Sequence, residues 1–251
     1  MKTFSSREGE IVYAVQGKGP RNFLLVHNAG GSHKMMHYTM AHFSKRGKTV
    51  VPDLLGHGFS AAPPIEYTVN LFAQSLIQLC KHEKLDHIVF IGLNYGGNVG
   101  LEVAQIAPHL ISHLILIEPP MFMEPWIVKV VERHIKELAN PSEQWVQETV
   151  DSVLMKASAE EREIALRSYG KTPSFVKAST YKNLLLWDKK HSSQCSIPTL
   201  MIQVSQPFCV EKKVKTTFPN LQVSRVVGSG PWATLEVPTQ VHAMIDRFLE
   251  F

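Results

Sequence analysis

Gly92-Leu93-Asn94-Tyr95-Gly96-Gly97 constrains the fold of this chain more than any other stretch. It follows His87-Ile88-Val89-Phe90-Ile91, a short apolar run that reads as a buried strand, and it precedes Asn98 to Ile106, where apolar residues recur at helical spacing. To pass from strand to helix across so few residues, the chain must bend at one residue with positive φ. The neighbours of that residue must be small enough for the two elements to approach. Gly92 and Gly96 supply the room, and asparagine at position 94 tolerates positive φ better than most residues that carry a side chain.

The rest of the chain fits such a strand-turn-helix unit into a larger sheet. Strands are expected at about 3–5, 10–16, 22–27, 48–52, 87–92, 112–118, 198–204 and 221–227, and helices near 35–46, 68–83, 97–108, 210–217 and 238–250. The alternation predicts an α/β protein with an eight-stranded, mostly parallel, doubly wound sheet. The stretch 121–190 breaks the alternation and reads as four helices, with Ser158-x-x-Glu161 as a capping box, Gly170 as a stop and Thr172-Pro173 as the next start. It is expected to be a helical cap inserted into one domain whose core is 1–120 and 191–251. At 251 residues and 44% apolar content, the chain has enough material for one full core.

Five landmarks, in order, are similar to those of the α/β-hydrolase superfamily. Residues 92–97 resemble its G-x-S-x-G elbow, and Phe23 to Ser32 resembles the strand and H-G-x-G-G-S loop that carries half of the oxyanion hole. Val50 to Ser60 resembles the V-x-P-D-x-x-G-x-G-x-S turn, and Leu186-Trp187-Asp188 with Ile197 to Ile202 resembles the end of the cap and the next strand. Val227-Gly228-Ser229-Gly230-Pro231-Trp232 with Leu235 to Pro238 resembles the segment that carries the catalytic histidine.

The resemblance implies a Ser-His-acid triad, and this chain departs from it at every member. Asn94 stands at the nucleophile position, Pro231 at the histidine position and Pro207 at the acid position. A carboxamide has almost no nucleophilicity at neutral pH, and proline neither accepts nor delivers a proton. Glu118, at the end of the next strand, occupies the place where some family members carry an alternative acid; the plainer reading is a strand-end carboxylate bonded to backbone or water. His27 matches a family histidine with a packing role. His33 and His37 share metal-like spacing without a third ligand, His57 is expected at the surface, and His242 lies too far along the C-terminal helix to replace Pro231. No metal and no cofactor is expected.

Backbone donors survive side-chain loss, so the resemblance implies a retained oxyanion hole at Ala29 and Tyr95, with Asn28 in place of the usual loop glycine. Asn28, Trp126, Trp145 and Trp232 are expected to line a pocket, although aromatic residues at helical spacing in the cap more often form its own core. Three functions stay open: a pseudoenzyme that binds a small apolar carbonyl or acyl ligand or a protein partner; a lyase, cyclase or cofactor-free oxygenase using the hole; and a weak ester, lactone or thioester hydrolase with atypical residues. Net charge is +4 with short basic runs such as Lys189-Lys190-His191, which gives no nucleic-acid signature. Cys80, Cys195 and Cys209 are odd in number and widely spaced, which argues against a disulfide framework; Cys209 beside the acid position reads as a buried packing thiol, with a stray nucleophile as the alternative. Residues 1–10 lack the apolar core of a signal peptide and no run reaches membrane-span length, so a cytoplasmic protein without a membrane partner is expected.

Overall fold

The computed structural model describes residues 1–190 and 194–250. The expected return to the core at residue 191, and His191 of the basic run, lie outside the described residues. Eight strands form one sheet: β1 (Lys2–Ser5), β2 (Glu10–Gln16), β3 (Arg21–Val26), β4 (Gly47–Pro52), β5 (Ile88–Leu93), β6 (Ile111–Ile117), β7 (Thr199–Gln203) and β8 (Leu221–Arg225). Their spatial order is β1-β2-β4-β3-β5-β6-β7-β8. β2 runs antiparallel to β1 and β4, and every other pairing is parallel.

Burial follows position in the sheet. Every residue of β5 and β7 is buried, because helices cover both faces of the centre, whereas the edge strands β1 and β8 are largely exposed. The helices are α1 (His37–Phe43), α2 (Val69–Glu83), α3 (Tyr95–Ile106), α4 (Pro125–Glu137), α5 (Glu143–Val153), α6 (Ala159–Lys171), α7 (Ser174–Lys190), α8 (Glu211–Thr217), α9 (Ala233–Glu236) and α10 (Pro238–Phe248). On one face Phe72 and Leu76 of α2 and Val99 and Val103 of α3 pack with Leu24, Phe90 and Leu116 of the sheet. On the other, Phe43 of α1 and Val241 and Ile245 of α10 pack with Phe23, Leu25 and Ile91.

Two local differences from the sequence expectation have simple causes. The helix expected at 35–46 begins as a 3-10 turn over His33–Met36, because Ser32 Oγ accepts the Lys34 N–H and tightens that turn before α1 starts. The short α9 is too brief to show a period, and it forms because Ala233, Thr234 and Leu235 are all buried. Between β6 and β7 the chain leaves the sheet for α4 to α7, with the Ser158–Glu161 capping box present at the start of α6. Among the described residues, no helix is long and apolar enough to cross a membrane.

Candidate functional site

The turn between β5 and α3 has the geometry its sequence demands. Asn94 sits at φ 50° and ψ −117°. A Cβ on Gly92 would lie 2.5 Å from backbone atoms of Gly96 and Gly97, and one on Gly96 would lie 2.3 Å from the Val26 carbonyl oxygen. Both positions therefore exclude any side chain, and in return β3, β5 and the start of α3 meet at backbone contact. The strained residue is held from three sides: its N–H donates to the Ile117 carbonyl at 2.7 Å, its carbonyl accepts from Gly97 N–H at 2.8 Å, and Nδ2 donates to the Glu118 carbonyl at 3.0 Å. Because that last partner is an acceptor, the amide must turn its NH2 group toward Glu118, which directs Oδ1 away from it.

Asn94 opens onto a cavity of about 140 Å³. Ala29, Tyr95, Pro231 and Trp232 join it on the core side, and residues of α4 to α7 form the other wall. The Tyr95 N–H belongs to the first turn of α3, where a helix has no internal acceptor to offer. The loop carrying Pro231 is tied to the inserted helices. Glu236 accepts the N–H groups of Met155 at 2.5 Å and Lys156 at 2.7 Å through Oε1, and that of Gly230 at 2.8 Å through Oε2. A Cβ on Gly230 would lie 1.9 Å from the Val153 carbonyl oxygen, so the loop passes directly under the end of α5.

Several expected pocket residues lie elsewhere. Asn28 is buried but spends its Nδ2 on the Ala29 carbonyl at 3.0 Å, off the cavity wall. The left-handed residue of that loop is Gly30, at φ 71°. Trp126 is 48% exposed and packs its ring edge-on against Phe208 outside the cavity, because it stands one position off the buried stripe of α4. Trp145 lies behind the wall, 4.8 Å ring to ring from His134, while Thr149, Ser152 and Val153 of the same helix reach the cavity. Pro207 faces an outer groove with Trp126, and its neighbour Phe208 faces the cavity instead. Cys209 is buried in the core, where Gln203 Nε2 donates to its sulfur.

Glu118 is buried, with φ 44°, and its carboxyl holds the loop after β7. Oε2 accepts the Val204 N–H at 2.8 Å and Oε1 the Phe208 N–H at 2.5 Å. Burial pushes the carboxyl up to about 7 against the pull of these two donors and of Arg225. Both oxygens are thus committed to backbone, the structural role that was one of its two sequence readings.

The histidines divide sharply. His27 Nε2 accepts the Leu54 N–H at 3.0 Å, so Nδ1 carries the proton to the Asn28 carbonyl at 2.7 Å, and burial pushes the ring down to about 4. His57, expected at the surface, is 1% exposed: its Nδ1 meets the Leu55 carbonyl and its ring packs against His27 and Phe72. Burial pushes it down to about 3. His33 pairs with buried Asp53 at 2.9 Å rather than with His37, whose Nδ1 meets the Lys34 carbonyl. His242 approaches Thr39 Oγ1 on the far side of the sheet. The histidine on the cavity is His134 of α4, 2.5 Å from the Tyr169 hydroxyl and pushed down to about 4 by burial. The sequence signal for it was its place in the stripe Ile127, Val131, His134, Leu138, at helical spacing on the inward face of α4.

Comparison with known proteins agrees with this architecture. The family model described as alpha/beta hydrolase fold matches residues 21–238. A putative esterase/lipase of Haemophilus influenzae is 25% identical over 224 residues, covering 82% of this chain and 75% of that protein. An uncharacterized protein of Mycobacterium tuberculosis is 30% identical over 105 residues, covering 42% of this chain and spanning only 30% of the relative's length. Among solved structures, the enol-lactonase of Burkholderia xenovorans superposes with a TM-score of 0.85 at 16% identity, covering 100% of both chains. An esterase of Exiguobacterium antarcticum does so with a TM-score of 0.86 at 15% identity, covering 99% of each.

Proposed function

Because this chain belongs to the alpha/beta hydrolase fold family, we propose that it is a member without ordinary hydrolase activity, which binds a small carbonyl or acyl ligand in the cavity beside Asn94. One observation carries the reading: the groups on the cavity wall at the nucleophile and histidine positions are a carboxamide already bonded through its NH2 group, and a proline ring. Neither attacks a carbonyl or moves a proton. The backbone donors of Tyr95 and Ala29 act as an oxyanion-type site for the ligand oxygen. Helices α4 to α7 act as a cap that keeps water from it. Esterase and enol-lactonase, the names carried by proteins of similar structure, both denote carbonyl chemistry, which supports this ligand class.

The test is hydrolysis of a short-chain activated aryl ester by the wild type, Asn94→Ala, and a double variant carrying Asn94→Ser and Pro231→His, the two positions that reach the cavity. The wild type is expected to match Asn94→Ala, both near the residual rate of roughly 10³ to 10⁴ over water that a hole and binding supply without a triad. The double variant is expected to exceed both. Turnover by the wild type that Asn94→Ala abolishes overturns the reading. His134 on the same cavity favours a second reading, a non-hydrolytic enzyme that polarises a carbonyl, and its mark is product formation with no acyl-enzyme burst.

A further inference from the structure

His134 and Tyr169 form a polar pair on the inserted wall of the cavity that the core-side reading leaves unused. Their contact, 2.5 Å from Nε2 to the hydroxyl, joins α4 to α6. A phenol is a far stronger acid than the N–H of a neutral imidazole, and burial holds His134 neutral. Burial raises the Tyr169 hydroxyl while it lowers His134, so the proton stays on oxygen, and as the stronger hydrogen-bond donor of the two that hydroxyl is assigned as donor to Nε2. That uses the hydroxyl's one proton and leaves its lone pairs as acceptors.

The pair is braced from behind. Lys177, 2% exposed, donates Nζ to the Tyr169 carbonyl at 2.8 Å and sets its charge 4.1 Å from the centre of the Tyr169 ring. A Cβ on Gly30 would strike the same ring at 2.6 Å, so the loop after β3 presses on it as well. Tyr169 is thereby fixed in place with its ring on the cavity wall. The residues lining the cavity include no Asp, Glu, Lys or Arg. An ionic ligand would meet no countercharge on the wall itself, since the Lys177 ammonium stands behind the Tyr169 ring and is spent on its carbonyl, and that is costly in a buried site. The volume, about 140 Å³, is close to that of an engineered cavity of about 150 Å³ that takes up benzene, and so admits one ring with small substituents.

We infer that the His134–Tyr169 pair selects the ligand, accepting a hydrogen bond from it, so that the occupant is a compact neutral carbonyl compound carrying a hydroxyl or N–H group away from its carbonyl. The inference rests on the reading of the cavity as a carbonyl site. Calorimetric titration with acetophenone and with 4-hydroxyacetophenone tests the two separately. The wild type is expected to bind the hydroxylated probe about tenfold more tightly, the worth of one hydrogen bond in a buried site. Tyr169→Phe, which keeps the ring and the backbone contact with Lys177, is expected to erase that preference and leave acetophenone affinity within about twofold. His134→Gln, whose side-chain oxygen still takes the Tyr169 proton, is expected to retain it. If acetophenone binds but the hydroxyl adds nothing, or if the preference survives Tyr169→Phe, this inference is overturned while the carbonyl site stands. If neither probe binds the wild type, both fall.

Discussion

The two walls of the cavity keep their shape by different means. The core wall is made by backbone: Gly92 and Gly96 let β3, β5 and α3 touch, Asn94 is held by two main-chain bonds and one side-chain bond, and Glu118 grips the loop after β7. The inserted wall is made by side chains, through the apolar stripe of α4 and the contact between His134 and Tyr169. A wall built from backbone can lose its chemical side chains and keep its geometry, since the glycines and main-chain bonds do not depend on a serine or a histidine. A wall built from side chains changes shape and chemistry together. On the function proposed above, two of the three triad positions, 94 and 231, fall on the first kind of wall, so the frame of such a site persists around an amide and a proline.

Substitution can break this contrast from either side. The largest effect is expected on the core wall: Gly92→Ala drives a Cβ into backbone atoms at 2.5 Å that cannot move aside. It should cost about 3 kcal/mol or more and lower Tm by about 10 °C in a thermal melt. Glu118→Ala strips the acceptors from the Val204 and Phe208 N–H groups. Denaturant titration should read a loss of about 3 kcal/mol, with Glu118→Gln losing less because it keeps one acceptor.

Glu236→Ala probes the joint between the walls, freeing the N–H groups of Met155, Lys156 and Gly230. These groups are partly exposed, so the expected loss is about 2 kcal/mol. Hydrogen exchange should rise at 153–157 before it rises in the sheet.

A pH series isolates one buried histidine of the core. An unfolded His27 takes up a proton near 6.5 and the folded one only near 4. The stability its neutral form confers is therefore full above about 6.5 and is lost as pH falls toward 4. His27→Gln, which can still accept from Leu54 N–H and donate to the Asn28 carbonyl, should make the slope of stability against pH in that window shallower by up to about 1.4 kcal/mol per pH unit. An unchanged slope would show that His27 is already protonated in the fold. The smallest effect belongs to the inserted helices: Ser158→Ala removes the capping box of α6 and should cost about 1 kcal/mol without altering ligand affinity, since the box is exposed and far from the cavity wall.

Much of this molecule was readable before its structure. The sheet strands stood out because buried parallel strands are continuous apolar runs, and the elbow because only glycines fit where three backbones converge. The site was less readable. The triad positions came from motif order, and Pro231 does reach the cavity, but Pro207 faces outward, since a residue's direction within a loop is not written in its spacing. Trp126 and Trp145 were expected on the wall from size and hydrophobicity; they miss it because helical rotation, a matter of one residue, decides which side of α4 and α5 faces inward. His57 has an ordinary loop sequence around it, and its burial depends on His27 and Phe72 arriving from distant segments.

By itself the sequence determined the order of strands and helices, the bend at Asn94 and the residue types, asparagine and proline, at positions 94 and 231. These follow from local sterics, periodicity and the chemistry of single residues. Only the tertiary structure decided that Glu118 is spent on a loop and that His134 of α4 meets Tyr169 of α6 across a cavity shared with Asn94. Such meetings depend on how whole elements pack, and the periodicity that forms each helix carries no information about its partner.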